Sequence, residues 1–332
     1  MVTTPQAVWL VGGTPSEVEK SVKKVMKAAA LVNRVPVLVA YNLPFRDCAL
    51  YSAGGAVDAA AYQAWIAALA KGIGGNKAVV ILEPDGLGII PYNTTIYGAS
   101  EWCQPTVAAA GGSLVPAPGA SPEVRYSLLQ YAGVTLKSAA PNFATNPAEG
   151  GWRLGNFGWC ASQYNPAADY ALDYSPDYAA SVTAQIQDMM GSAVATLPFV
   201  VDTARNGRGP LSSVRYGEAP YNQPASVLSK LKDGGWCNPV GAGLGVRPTA
   251  ATGVPLVDAY LWLKKPGESD GSCDIAGGAR AWDYEQYNPW GLSDPEEQSH
   301  FDPLWGFVDP IAGEWFPEQA LELARNASPP LF

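Results

Sequence analysis

Histidine is almost absent: His300 is the single one among 332 residues. This argues against a Ser-His-Asp triad and against any multi-histidine metal site, so catalysis must rest mainly on carboxylates. Basic residues are outnumbered, with 21 Lys+Arg against 30 Asp+Glu and a net charge of −9. No basic cluster is available to meet phosphates, which argues against nucleic acid as a partner. No stretch approaches the ~20 consecutive apolar residues of a membrane span. The five cysteines, Cys48, Cys103, Cys160, Cys237 and Cys273, show no CxxC spacing. Zinc ligation is therefore not expected, whereas widely spaced disulfides are. A signal peptide is also lacking, and Met1-Val2-Thr3 reads like a start placed before a mature secreted chain.

Apolar residues make up 48% of the chain, enough for a sizeable core and one large α/β domain or two smaller ones. The 11 Trp and 16 Tyr suit core packing, and aromatic faces also suit the C–H faces of sugar rings. An acidic surface is compatible with a neutral polysaccharide.

Residues 78–87, AVVILEPDGL, organise the chain. The continuous apolar run from Val79 to Leu82 predicts a strand buried on both faces, as in a parallel sheet. Glu83-Pro84-Asp85-Gly86 ends it, because proline cannot donate to the ladder and glycine frees the backbone. Two carboxylates thus stand at the carboxyl end of a strand, where α/β folds place ligands; a strand-end cap begun by Asp85 is the alternative. Upstream, strands are expected at 6–11 and 35–41. Between them lies a helix that Ser16 can cap, with an apolar stripe of Val18, Val22, Val25 and Met26. A second helix over 57–72 leads into the 78–83 strand. Strand–helix–strand–helix–strand predicts right-handed parallel βαβ units. Asp47, past the 35–41 strand, would then lie at the same end as Asp85. A long loop is expected over the residues after Asp85, then a helix over 123–138, irregular chain over 139–176 and a helix over 177–190. Strands follow at 198–202 and 256–263, the latter with acids just beyond it, and a last helix covers 317–325. No repeat and no clean interdomain linker is visible. Clustered carboxyl groups and loop aromatics point to acid–base work, with glycoside hydrolysis as the leading chemistry. A structural acid network and another acid-dependent enzyme stay open at this level.

Four runs carry a closer resemblance: VLVAYNLPFRDCALYSAGG (37–55), AVVILEPDGLG (78–88), FVVDTARNGRGP (199–210) and WCNPVGAGLGVRPT with GVPLVDAYLWLKKPGESDG (within 236–271). Together with the closing DPIAGEWFPEQALELARNASPPL, they resemble glycoside hydrolase family 6, in particular its bacterial endoglucanase-type members. The resemblance implies a single catalytic domain over 1–332, a distorted and incompletely closed parallel β/α barrel that cleaves β-1,4-glucan with inversion. It makes Asp85 the general acid, with Asp47 supporting that acid's pKa and a water relay. It sets Lys264, Glu268 and Asp270 around the cleavage point, Asp270 being a candidate base or a charge partner. Tyr41 would crowd the distorted sugar beside Arg46, Ser52 would place the water, and Trp236 would be a sugar-stacking platform. No cofactor or metal is implied. The expected setting is a secreted monomer acting on polysaccharide, without a membrane or nucleic-acid partner.

The resemblance also pairs Cys48 with Cys103 and Cys237 with Cys273, bridges that belong to an oxidising compartment. It breaks down between 141 and 198. Two strand units are expected there, one ending in an Asp-x-x-His motif before a tryptophan, and neither motif is present. A deletion joined near 142–153 leaves Cys160 as the orphan thiol. A rival alignment puts Asn146 of FATNPAEGGW where the missing Asp belongs. With those strands gone, part of the barrel is missing and the sheet edges stay unpaired or are covered by 139–176. Two alternatives remain: a catalytically impaired β-glucan-binding homologue, and a hydrolase of xylan or mixed-linkage glucan.

Overall fold

The computed structural model describes residues 4–49, 53–84, 86, 89–94, 100, 103–139, 154–156 and 199–208. It also describes scattered positions from 214 to 228 and residues 238–253, 257–271, 301–302 and 305–331. The chain divides into two compact units, one over residues 7–152 and the other over 1–6 with 153–332.

The first unit is built on three short strands, β1 (Val8–Leu10), β2 (Val37–Ala40) and β3 (Val79–Leu82), paired in parallel in that order. Helix α1 (Pro15–Leu31) starts at Thr14, not Ser16: Thr14 Oγ1 accepts the Glu17 N–H, and the Glu17 carboxylate accepts the Thr14 N–H in return. Pro15 at the first helical position has no N–H to lose, so the cap falls one residue before it. Val18, Val22 and Met26 of α1 are buried, as the stripe predicts. Helix α2 (Ala59–Ile73) is capped by Asp58, whose carboxylate accepts the Ala61 N–H at 2.7 Å. Its wide apolar face, Tyr62, Trp65, Ile66, Leu69 and Ile73, joins Leu10, Leu38, Ala40 and Leu128 in one core. Each such fully buried large side chain contributes about 1.5–3 kcal/mol of transfer free energy. Trp65 satisfies its indole N–H on the Gly12 carbonyl at 2.9 Å, so the largest ring is buried without an orphan donor. Helix α3 (Pro122–Ala139) packs against α2.

The expected long loop after Asp85 contains a hairpin, β4 (Thr106–Ala108) with β5 (Leu114–Pro116), antiparallel and exposed. Three-residue strands without a buried face give no alternation to read. The turn glycines Gly111 and Gly112, both at positive φ, were the available signal.

The second unit holds another three-stranded parallel sheet, β6 (Leu154–Asn156), β7 (Phe199–Asp202) and β8 (Val257–Leu261), with β7 in the middle. Strand β6 lies inside the segment expected to be irregular, and it takes one edge of β7. Coverage of an edge by residues from 139–176 therefore occurs, through a strand rather than a loop. Among the described residues the ladder partners of β7 are β6 and β8, and those of β2 are β1 and β3. The expected join at 142–153, the 177–190 helix and Cys160 lie outside the described residues. A short hairpin follows, β9 (Phe301–Asp302) with β10 (Phe307–Val308), then α4 (Pro317–Arg325), whose bounds match the expectation. Ala204, Ala242, Leu244, Trp262 and Leu323 form the core under α4.

Candidate active site

In the first unit the expected site residues follow the exits of β2 and β3 in the chain: Tyr41, Arg46 and Asp47 after β2, and Asp85 after β3. The ladder runs to Ala40 opposite Leu82, and the Glu83 N–H extends it by donating to the Ala40 carbonyl at 2.7 Å. The segments bearing Asp47 and Asp85 therefore start side by side at the same end of the sheet, as the βαβ reading requires. Asp85 and Ser52 lie outside the described residues, as do Trp236, Cys237 and Cys273.

Tyr41 is buried, with its ring edge-on to Trp9 at 5.5 Å between centroids and the Arg46 guanidinium 4.8 Å over its face. Arg46 also donates to the carbonyls of Val11, Tyr41 and Ala53, at 2.7, 2.8 and 3.1 Å. One cation thus ties the exit of β1, the exit of β2 and the glycine-rich loop after Ser52. That loop lies against the β2 exit so closely that a Cβ on Gly55, at φ +97°, would come 1.9 Å from the Leu43 carbonyl oxygen. Asp47 and Cys48 sit in a short 3-10 turn, and Phe45, Asp47 and Cys48 all adopt positive φ. Such strained non-glycine backbone persists only where the surroundings over-determine it. The Cys48–Cys103 disulfide, with Cα atoms 5.6 Å apart, is one such constraint and matches the expected pairing.

Glu83 is another, and its part was not read from the sequence. The side chain is 3% exposed and its own φ is +46°. Its carboxylate accepts the Asn42 N–H at 3.0 Å on both oxygens and the Leu43 N–H at 3.2 Å. Burial pushes this carboxyl up to about 7, although the Asn42 and Leu43 N–H groups, the Tyr62 hydroxyl beside it and the Arg125 charge favour the ionised form. The same burial, with the Glu83 charge next to it, keeps the Tyr62 phenol protonated far above its ordinary range.

The second unit repeats the device. Asp202, at the end of β7, accepts the N–H groups of Ala204, Leu263 and Lys264, at 3.0, 3.1 and 3.0 Å. It thereby binds the exit of β7 to the exit of β8, and burial pushes its carboxyl up to about 6 against those donors. Beyond β8, the expected Lys264, Glu268 and Asp270 are brought together. One Asp270 oxygen lies 2.7 Å from Lys264 Nζ, and the other 2.6 Å from a guanidinium nitrogen of the fully buried Arg205. The Asn238 N–H adds a third donor at 2.9 Å. Burial acts to raise the Asp270 carboxyl, but the Arg205 and Lys264 charges overcome it and hold the group well below the usual carboxylate range. Glu268 pairs with Lys265, while its backbone carbonyl accepts from Arg205 at 2.8 Å. Asn238 is a second hub missed in the sequence. Its side-chain amide donates to Gly271 and Asp309 at 2.8 Å each, and its carbonyl oxygen accepts the Asp270 N–H at 2.8 Å.

Each Asp270 oxygen is thus paired with a different cation. Of the two roles the resemblance allows, the pairing with Arg205 and Lys264 matches the charge partner. Among the described residues no group of three or more His, Cys, Asp or Glu could hold a metal ion.

The model of glycosyl hydrolases family 6 matches residues 1–327. Endoglucanase 1 of Streptomyces sp. (strain KSM-9) is 35% identical over 273 residues, covering 81% of this chain and 65% of its own length. Endoglucanase A of Thermobispora bispora is 29% identical over 335 residues, covering 100% of this chain and 57% of its own. The chain thus spans less than two thirds of either relative. Among solved structures, the endoglucanase Cel6 from Mycobacterium tuberculosis, in complex with methyl-cellobiosyl-4-deoxy-4-thio-β-D-cellobioside, aligns with a TM-score of 0.55 and 26% identity. That alignment covers 97% of this chain and 87% of the other. With the motifs in order, the parallel strand exits built around them and a family match over nearly every residue, the chain belongs to glycosyl hydrolase family 6.

Proposed function

We propose that the protein is a secreted endo-β-1,4-glucanase that cleaves cellulose with inversion, with Asp85 as the general acid. The observation that carries this reading is the parallel pairing of β2 with β3, which starts the Asp47 and Asp85 segments side by side. In the proposed step the Asp85 carboxyl gives its proton to the glycosidic oxygen as the C1–O bond breaks. A water attacks C1 from the opposite face of the sugar and loses its proton into a relay held by Ser52 and Asp47. Asp47 near Asp85 favours the protonated acid through like-charge repulsion. Asp270, already neutralised by Arg205 and Lys264, serves as their counter-ion and holds the 264–270 loop; it is not the base. Tyr41 and Arg46 shape the wall beside the scissile sugar, and Trp236 and Glu268 contact glucan. Family membership and the endoglucanase relatives support the substrate class. The Cys48–Cys103 bridge supports an oxidising, extracellular setting.

The test is reducing-sugar release from carboxymethyl cellulose by the wild type and Asp85→Asn. Loss of the general acid is expected to cost about 100-fold or more, while cello-oligosaccharide binding survives. Glucan binding without turnover by the wild type would make the protein a binding homologue. Near-wild-type turnover by Asp85→Asn would remove Asp85 from its role. Parallel assays on xylan and mixed-linkage glucan rank the polymers.

A further inference from the structure

The segments that bear Asp47 and Asp85 are tied to each other by two buried polar side chains, Glu83 and Arg125. Glu83 takes backbone donors, the N–H groups of Asn42 and Leu43. Arg125, from the first turn of α3 and 5% exposed, takes backbone acceptors. Its guanidinium donates to Pro44 O at 3.1 Å, to Gly86 O at 3.1 Å and to Ile89 O at 2.8 Å. Pro44 belongs to the Asp47 segment, and Gly86 and Ile89 to the Asp85 segment. The Gly86 N–H closes the turn onto the Glu83 carbonyl at 2.8 Å, with Pro84 and Asp85 between them in sequence. A Cβ on Gly86 would stand 2.9 Å from the Glu83 carbonyl oxygen and 3.1 Å from Leu43, so the turn is packed tight on the neighbouring segment.

A solvated turn would need none of this. Burying a carboxylate and a guanidinium is costly unless each is fully hydrogen-bonded, and here the partners are backbone groups of two strand exits. Left-handed residues at Phe45, Asp47, Cys48 and Glu83 show that these exits are strained and need holding.

We propose that Glu83 and Arg125 are positioning residues for the reaction: together they fix the turn carrying the proton donor against the segment carrying Asp47. This rests on the glucanase reading above. A purely structural role would slow every substrate alike. A role in placing the acid slows only substrates whose leaving group needs a proton. The experiment compares cellopentaose with 2,4-dinitrophenyl β-cellotrioside, whose phenolate leaves unprotonated, for the wild type, Glu83→Gln and Arg125→Lys. Displacing a catalytic group by about 1 Å costs about 100-fold. Glu83→Gln is expected to lose roughly that factor in kcat on cellopentaose, with KM within about threefold and little loss on the aryl glycoside. Arg125→Lys keeps the charge but not the fork that spans three carbonyls, and should show the same selective loss to a smaller degree. Equal losses on both substrates, or no loss on either, in a variant with wild-type circular dichroism overturn the proposal. Should Glu83→Gln not fold, Arg125→Lys decides by the same comparison. No turnover of either substrate by the wild type refutes the enzymatic reading itself, and the clamp with it.

Discussion

Arg205→Met should destabilise the protein in a way that depends on pH. The guanidinium is completely buried and donates to Asp270 at 2.6 Å, to the Glu268 carbonyl at 2.8 Å and to Gln319 at 3.2 Å. Methionine fills much of the volume and replaces none of these bonds. Removing one partner of a buried ion pair costs about 3–5 kcal/mol when the other charge is left uncompensated. Asp270 keeps Lys264 at 2.7 Å and the Asn238 N–H, and its side chain is 18% exposed, so the lower end applies. The expected loss is about 3 kcal/mol at pH 7. The native pKa of Asp270 is depressed below its ordinary value of 3.8. Its stabilisation is therefore full above that value and is lost as pH falls through the lower native value. Arg205→Met has already lost the larger of the two cation contributions to it, so the gap between wild type and variant should narrow towards pH 3. Urea unfolding followed by tryptophan fluorescence, at pH 7 and pH 3, measures both numbers. A gap below about 1 kcal/mol at pH 7, or one that is unchanged or wider at pH 3, would refute the reasoning.

Two further outcomes follow from the strand exits. Gly55→Ala should lower stability by at least about 2 kcal/mol, because φ is positive and the added Cβ would meet the Leu43 carbonyl. Gly112→Ala, also at positive φ but with nothing within 4 Å, is the control and should cost only about 1 kcal/mol; equal shifts in melting temperature would contradict the packing account. Glu83 and Asp202 predict the opposite pH trend to Asp270. Their native pKa values, about 7 and about 6, stand above the ordinary 4.5 and 3.8, so their contribution is full below those ordinary values. It is lost as pH rises through 6 and 7. Melting temperature should therefore rise on acidification from pH 8 to pH 5, and Glu83→Gln combined with Asp202→Asn should flatten the rise. An unchanged slope in the double variant would count against both shifts.

Much of this protein was legible in one dimension. Apolar runs at 79–82 and 199–201 mark strands, although burial on both faces does not hold for the first. Val79 is exposed and only Ile81 of β3 is fully buried, because among the described residues β3 has a strand on one side only in its sheet. The proline and glycine after Leu82 mark its exit, and the spacing of Val18, Val22 and Met26 marks a helix face, since these signals act over one turn or one strand. The resemblance in residues 37–55 paired Cys48 with Cys103 correctly. What the sequence could not show is which carboxylates are buried and by what they are met. Glu83 follows β3 directly, Asp202 ends β7 and Asp270 lies in the loop beyond β8, and nothing in the chain tells their environments apart. Tertiary packing turns the first two into acceptors for a neighbouring strand's N–H groups, with raised pKa values. It turns the third into an ion-paired anion, with a lowered one. The deciding partners, Asn42 for Glu83, Leu263 for Asp202 and Arg205 for Asp270, lie 41, 61 and 65 residues away. A carboxyl group's proton affinity is set by the dipoles and charges within a few ångströms, and only the folded chain decides which those are.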